Sequence, residues 1–565
     1  MGMKMQRRVS FLVLLSFLVT LAYIIPTCVH PIPHGSDVYT HLFFTREMAG
    51  VNHLSDFYER CMEKGYVGYE YPFGLWLFGA IVAKITGLNM LELSISLPLA
   101  IMVVMMILYY IYASIFGASK GESILSLAFL LSTPLICMVI LGYSPSVFVC
   151  SFLILTIFLM IVSKMPLWKR IFLINIIVFV LCFTHTGTYM FLFSLTLVYL
   201  FMYVLLYGDF PWSTYMTTAS IILVCVITLH AFPHVHPQYI DKGRILVSVC
   251  DFLSSDLHIP LMKEFGELFY EEIFVSLDLM YAILWCTLIY AACELLMFIR
   301  QKVVKGISTA KLRISEAFSS VIFGSIRHIS HSITYTPFWL GPIHTALAIL
   351  GALKTNRNGL CMLLSVSIVT LIPGYMSGEA GTGALRKIEY LFIIIPVFAA
   401  LGFYYVIEKM RTDGILRKFA ASVILLGVFV SVVGMPVVGN LYYHPLISGA
   451  SYERKGLQWL STVGVPEEGC AGPGYRHRIT LYGDKVAPGI TTVSAGSEMS
   501  RYVSDLYNVH FETNSEEHAD DLYATFGVEY LIASYRTLRS LGELRKPLRI
   551  DSNKRLDKIY SSIYS

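Results

Sequence analysis

Four places along this chain of 565 residues carry side chains whose types and spacing could do chemistry. The first is His34-Gly35-Ser36-Asp37-Val38-Tyr39-Thr40-His41. A carboxylate such as Asp37 can hold a divalent metal through hard oxygen ligands, or take a proton from an acceptor hydroxyl as a general base. His41 follows four residues later and shares its face if the segment is helical. The bland alternative is that Asp37 caps that helix and His41 packs beside it, and spacing alone favours the cap. The second place is Phe183-Thr184-His185-Thr186-Gly187. His185 there is either an intramembrane functional group or a histidine bonded to a backbone carbonyl at a helix end. The third runs from Gly374 to Tyr390 and holds Glu379, Arg386 and Lys387. Its glycines at 374, 378, 381 and 383 let the backbone approach a ligand closely. Arginine pairs with phosphate oxygens in a bidentate fork; the alternative is that both cations snorkel to anionic headgroups. The fourth is His234 and His236 flanking Val235, ahead of Asp241, Lys242, Arg244, Asp251, Asp256 and His258. A strand would set the two histidines on one face as metal ligands, but no third ligand declares itself.

The elements that must position these residues follow from composition. The chain is 56% hydrophobic and 14% charged, whereas soluble domains carry about 25% charge. The charges fall in short islands between apolar runs of about 20 residues, the length a hydrocarbon core of roughly 30 Å requires of a helix. Helices are forced, because lipid offers no partner to an unpaired backbone amide. The net charge of +4 comes without a concentrated basic block, so no nucleic-acid partner is expected. Most of the eleven cysteines lie in apolar runs as small core hydrophobes. No CxxC pair exists, which argues against a zinc or redox motif. Cys28 and Cys61 share one loop and could be bridged, as in exported loops.

Spans are expected near residues 9–25, 92–116, 122–141, 145–163, 171–187, 189–207, 215–232, 276–299, 335–353, 359–375, 388–406 and 418–438, with a polar crossing or re-entrant segment around 314–333. Lys4, Arg7 and Arg8 precede the first, which reads as an uncleaved helix with a cytoplasmic N-terminus. Basic islands at Lys164–Arg170, Arg300–Arg313, Lys354–Arg357 and Lys409–Lys418 all belong inside by the positive-inside rule. Three loops then face outward: Pro26 to Tyr71, Pro233 to about Glu272, and Pro373 to Lys387. Residues 72–88 are short and broken by glycines, as in an interfacial or half-inserted helix. From 445 to 565 the chain is rich in charge, Gly, Ser and Tyr; short strands such as Glu529–Ala533 and helical stretches such as Tyr452–Leu460 suggest a small α/β domain outside the membrane.

The run G-S-D-V-Y-T-H-L-F-F-T-R-E-M-A-G, with Y-E-Y-P-F-G-L-W-L at 69–77, resembles the opening of GT-C superfamily membrane glycosyltransferases, above all archaeal oligosaccharyltransferase- and mannosyltransferase-like members. Tyr71-Pro72-Phe73-Gly74 departs from that family's Tyr-Pro-Pro-Leu-like corner at its last two positions. The Trp-Trp-Asp-Tyr-Gly signature of oligosaccharyltransferase catalytic subunits is absent, which counts against reading a peptide sequon. Gly456-Leu-Gln-Trp459-Leu-Ser, Tyr482-Gly-Asp484-Lys and Tyr530-Leu531-Ile532 resemble the soluble domain of archaeal relatives.

The resemblance implies a polytopic α-helical membrane protein of about 11–13 transmembrane helices, GT-C-like, with a catalytic membrane domain at 1–440 and an extracytoplasmic α/β domain at 441–565. It implies inverting transfer of a sugar from a polyprenyl- or dolichyl-phosphate donor to a glycan, lipid or protein acceptor, on the extracytoplasmic face of the cell membrane. Asp37 is then the catalytic carboxylate or the ligand of Mg²⁺ or Mn²⁺, with His41 beside it. Arg386 and Lys387 bind the donor phosphate, and His185, His234, His236, Glu379 and Tyr71 are substrate or metal candidates. A transporter or lipid flippase, or a non-catalytic GT-C-like scaffold, stands as the alternative; transporters usually show paired halves, and no such repeat is present.

Overall fold

In a computed structural model of the chain, the residues described are 23–25, 38–63, 72–133, 142–161, 165–255, 261–304, 341–376 and 389–410, scattered positions between 419 and 434, and two strands at 469–471 and 528–531. The chain forms two compact units that do not follow chain order. One gathers His30–Leu97, Gly142–Ser144 and His444–Ser565; the other gathers the remainder.

The smaller unit is built on α1 (Val38–Ala49), α2 (Leu54–Glu63) and α3 (Gly74–Thr86). Phe44 stacks on Trp76 with ring centroids 4.6 Å apart, and Phe57 lies 5.9 Å from the same indole. Helix α3 can approach α1 closely because Gly79 faces it: a Cβ there would sit 2.1 Å from the Tyr143 hydroxyl and 3.0 Å from the Thr45 methyl. At 13 residues α3 is about 20 Å long, too short for a bilayer core, as its broken sequence suggests. Gly87, at a φ of 72°, ends it in the left-handed conformation that glycine adopts without steric cost. The strands β1 (Gly469–Ala471) and β2 (Val528–Leu531) pair in parallel. The second overlaps the segment Glu529–Ala533 read as a strand; the α/β domain around the pair remains a proposal.

The larger unit is helical, and its elements other than α10 and α11 (His236–Ser255 and Met262–Tyr270) fall on the expected spans. In order they are α4 (Met90–Ala113, whose first residues belong to the smaller unit), α5 (Lys120–Ser132), α6 (Pro145–Ile161), α7 (Leu167–Thr184), α8 (Thr186–Tyr207) and α9 (Trp212–Ala231). There follow α10 (His236–Ser255), α11 (Met262–Tyr270), α12 (Leu279–Val304), α13 (Pro342–Gly351), α14 (Arg357–Met376) and α15 (Ile395–Met410). Among the described residues five helices are long and apolar enough to cross a membrane: Met90–Phe116, Leu167–Thr184, Thr186–Tyr207, Trp212–Ala231 and Leu279–Gln301. Shorter apolar helices occupy four more expected spans. The spans at 9–25 and 314–333 lie outside or almost wholly outside the described residues. Helix α8 is central, with an unbroken buried run from Thr188 to Phe201. Ser119 and Glu122 start α5 as a capping box. Gly351 of α13 and Gly402 of α15 face one another's helices at backbone distance, the small-residue contact by which helices associate in lipid.

One expectation is corrected. The stretch from Pro233 to Glu272 is not an irregular outward loop but a helical pair, α10 and α11, packed on α8 and α12. Phe269 lies 5.7 Å from Phe193, and Phe265 lies 6.3 Å from Phe201 and 5.1 Å from Trp285. Gly266 lets the two helices close, since a Cβ there would fall 2.5 Å from that of Cys250. Helix α10 is amphipathic. Tyr239, Leu246, Val249 and Leu253 are buried, while Arg244 is exposed and Ser248 and Asp251 are half-buried. Its average polarity hides this from a search for apolar runs.

Candidate functional site

The larger unit has two chemically distinct ends, and the basic islands define one of them. Arg170 donates to the Ser213 hydroxyl at 3.0 Å, and Arg300 donates to the Leu206 carbonyl at 3.0 Å. Arg357 pairs with Asp209 at 2.6 Å and lies 3.8 Å from the Tyr207 ring centre. Lys354 reaches Glu122 at 3.2 Å and Glu408 at 3.5 Å. Burial would lower the Lys354 ammonium pKa, but hydrogen bonds and charge attraction from Glu122 and Glu408 outweigh it and hold it above the ordinary lysine value. The fourth island begins at Lys409, beside Glu408. Among the described residues, Arg170, Arg300, Lys354 and Arg357, from three of the islands, therefore converge on the end where α8 terminates and α7, α9 and α14 begin.

The opposite end of α8 holds His185. At 22 residues α8 is about 33 Å long, so the two ends stand a full bilayer core apart. His185 is the single extended residue between α7 and α8, with φ −158° and ψ 107°, closing one helix and capping the next. Its Nδ1 accepts the Thr188 backbone N–H at 3.0 Å, so the neutral ring carries its proton on Nε2. The Thr188 hydroxyl, 2.8 Å from the same nitrogen, then donates to it and accepts from the Tyr390 hydroxyl at 3.0 Å. The Tyr390 ring lies flat on Phe191, with centroids 4.1 Å apart and planes inclined by 10°. Tyr390 sits in the 3₁₀ turn Glu389–Ile393, which Tyr109 holds by donating to the Phe392 and Ile393 carbonyls at 3.2 Å. The chain leaving the Arg386–Lys387 segment is thus anchored at His185. Gly187 keeps the place open, since a Cβ there would lie 3.1 Å from His185 Cε1 and 3.6 Å from the Tyr390 hydroxyl.

His234 and His236 lie at this end too, after the last turn of α9, but not on a strand. Residue 234 is in the 3₁₀ turn Pro233–Val235 and His236 begins α10. Helical backbone turns residues two apart to different sides, which removes the geometric premise of a His-x-His metal pair. The His236 Nε2 donates to the Phe274 carbonyl at 2.8 Å, which leaves Nδ1 as the acceptor nitrogen of the neutral ring.

In the smaller unit, α1 begins at Val38, one residue after Asp37, so His41 lies in its first turn. His41 is 7% exposed, and its Nδ1 accepts the indole N–H of Trp76 at 3.1 Å. The Thr45 hydroxyl donates to the His41 carbonyl at 2.7 Å and accepts from the Tyr143 hydroxyl at 2.8 Å. Asp37, Tyr71, Glu379, Arg386 and Lys387 lie outside the described residues, as does Cys28; Cys61 is buried in α2. Among the described residues no three His, Cys, Asp or Glu side chains gather as a metal site. Thr188, Tyr390 and Trp76 were not singled out by sequence. The hydroxyl and aromatic types beside Thr-His-Thr-Gly and the Tyr-Pro corner were the only signals available for them.

No family model matches the chain, and no curated protein sequence does. Solved structures do. The archaeal oligosaccharyltransferase AglB of Archaeoglobus fulgidus, in complex with an inhibitory peptide and a dolichol-phosphate, superposes with a TM-score of 0.59 at 12% identity, over 94% of this chain and 69% of that one. The chain has the oligosaccharyltransferase fold. An Archaeoglobus fulgidus oligosaccharyltransferase tethered to an acceptor peptide containing the NVT sequon gives a TM-score of 0.60 at 12% identity, over 93% of this chain and 68% of that one. Its complex with zinc and sulfate gives 0.59 at 12% identity, over 92% and 67%. This is the GT-C architecture the sequence resembles. At such identity the oligosaccharyltransferase likeness establishes fold and assigns no residue a role.

Proposed function

We propose that this protein is a membrane glycosyltransferase that moves a sugar from a polyprenyl-phosphate donor to an acceptor at the non-cytoplasmic face. The observation that carries the reading is the polarity of the larger unit. The described cations of three islands expected inside, Arg170, Arg300, Lys354 and Arg357, meet at one end, and Tyr390, which follows Arg386 and Lys387 in the chain, joins His185 through Thr188 at the other. Cations at the non-cytoplasmic end run against the distribution that membrane insertion favours, and a phosphate ligand gives them a purpose. The oligosaccharyltransferase fold supports the same reaction class. In this reading Arg386 and Lys387 steady the departing lipid phosphate. Asp37 removes the acceptor's proton or holds a divalent cation. A single displacement inverts the anomeric carbon, because no second nucleophilic carboxylate is called for. A cation, when bound, would supply charge for the leaving phosphate. The domain at 441–565 stands outside the membrane, and the acceptor is a glycan, lipid or protein. Lacking the Trp-Trp-Asp-Tyr-Gly signature, the chain is not expected to read a peptide sequon.

The test uses purified protein in liposomes with a mixture of dolichyl-phosphate hexoses as donor. Asp37→Ala is expected to lower transfer by at least about a hundredfold, the lower end of what a positioned general base contributes. Transfer by Asp37→Ala at the wild-type rate would remove the carboxylate from the mechanism.

A further inference from the structure

The helical pair α10–α11 carries charge at a depth where lipid does not admit it. We propose that the pair is a re-entrant hairpin, entered and left from the end that holds His185, and that the exposed face of α11 lines a water-filled recess reaching the middle of the bilayer from that side. The inference rests on the two-ended arrangement of the larger unit and asks nothing of the transfer reaction.

The neighbours of α11 set its depth. Helix α8 runs from one end of the unit to the other, and by its rise Phe193 lies about 12 Å and Phe201 about 24 Å from His185. Phe269 meets Phe193 at 5.7 Å, and Phe265 meets Phe201 at 6.3 Å. Both also meet Trp285 of α12, at 4.9 and 5.1 Å. Trp285 in turn stands about 22 Å along α12 from Arg300, which donates to Leu206 at the opposite end. Glu267 lies between the two phenylalanines, so its backbone sits near the middle of a core of roughly 30 Å. The two helices run antiparallel. His236 donates to the Phe274 carbonyl at 2.8 Å and Tyr270 to the Ile240 carbonyl at 2.9 Å towards the His185 end, while Lys263 pairs with Asp251 at 3.9 Å at the deep end. The chain thus returns to the end it left, and α12 departs from there.

At this depth two adjacent helices expose opposite chemistries. Helix α12 exposes Met280, Ile283, Leu284 and Leu288, as a helix in lipid does. Helix α11 exposes Glu264, Glu267 and Glu271 beside Leu268, one stripe at helical spacing. Among the described residues no cation pairs with these glutamates; Lys263, 53% exposed, is taken by Asp251. Ionisable side chains in the core face protein or water rather than lipid, and these three, being exposed, do not face protein. Leu261 opens α11 at a φ of 62° and is 74% exposed. It adds irregular backbone at the same depth, which is tolerated only inside protein or against water. Three carboxylates beside one paired lysine make the face net negative, so it repels a lipid phosphate, and water is the occupant.

Glu264→Cys and Glu267→Cys, each in the full chain and labelled with an impermeant thiosulfonate in oriented vesicles, read the recess directly. Both positions are exposed, so neither variant should lose its fold, and labelling of the wild type accounts for the native cysteines. The reagent is attacked by the thiolate, and a thiol in lipid seldom ionises: a pKa raised by about two units leaves about a hundredth of the thiolate. Both variants should react from the side on which Pro233→Cys reacts, about a hundredfold faster than Leu288→Cys, the lipid-facing control on α12. Reaction from the side on which Asp209→Cys reacts would make α10 and α11 two spans and overturn the hairpin. Reaction no faster than that of Leu288→Cys, from either side, would put the face against lipid or protein and overturn the recess. Should Pro233→Cys itself prove cytoplasmic, the sidedness of the proposed function fails, yet the cysteines at 264 and 267 must still follow it for the hairpin to stand.

Discussion

The crossing of α13 and α15 offers a perturbation whose size can be worked from the coordinates. A Cβ on Gly402 would stand 1.9 Å from the Leu347 carbonyl oxygen, and one on Gly351 would stand 1.9 Å from that of Phe398. Both obstacles are backbone, so no rotamer relieves them, and the helices must part by more than about 1 Å before repulsion ends. Overpacking of this kind costs about 1–3 kcal/mol, and in lipid no hydrophobic effect is left to hold the pair together. Gly402→Ala is therefore expected to lower the melting temperature of the detergent-solubilised protein. Gly351→Ala should do the same. The double variant should cost less than the two losses combined, because the first alanine already separates the helices. Gly434→Ala is the control, since among the described residues a Cβ there meets nothing nearer than 4.0 Å. An unchanged melting temperature for both single variants, or strict additivity, would refute this account of the packing.

Other consequences are more local. Tyr390→Phe and Thr188→Val each interrupt the hydroxyl chain to His185 and should each cost about 1 kcal/mol in stability or transfer, with a double variant no worse than the more damaging single one; full additivity would show the hydroxyls acting separately. Cysteines placed at residues 209 and 355 should react with an impermeant maleimide only from the cytoplasmic side of oriented vesicles, and one at residue 233 only from the other; labelling of all three from one side would contradict the two-ended arrangement. The Lys354 ammonium is raised by its carboxylate partners, so the stability it contributes is complete below the ordinary lysine value of 10.5 and is lost only as pH rises through the higher folded value. The melting-temperature gap between wild type and Lys354→Met should accordingly stay constant through neutral pH and close only in strong alkali, and a gap that closed near pH 8 would contradict the assignment.

The sequence revealed what depends on local composition. Long apolar runs located α4, α7, α8, α9 and α12, and the basic islands located the end at which they converge, because both signals are set by lipid and need no partner. Glycines between 72 and 88 announced a helix too short to span. The helical pair α10–α11 was misread as a loop because charge on one face of α10 masks a buried stripe of Tyr239, Leu246, Val249 and Leu253 on the other. His185 was visible as an oddity, but its role as a cap, and its link through Thr188 to Tyr390, joins residues some two hundred positions apart, which no local pattern encodes. The same holds for Trp76 and His41. The histidine was selected for its spacing from Asp37, whereas the indole that donates to its Nδ1 lies on another helix.

The central claim is that a polyprenyl phosphate leaves when sugar moves. Mass spectrometry of liposomes holding the wild-type protein, dolichyl-phosphate hexoses and an acceptor extract should show free dolichyl phosphate rising in step with glycosylated product, and neither rising with Asp37→Ala. Donor that stays intact with every hexose while the lipid merely changes leaflet would contradict the glycosyltransferase account and leave a lipid transporter in its place.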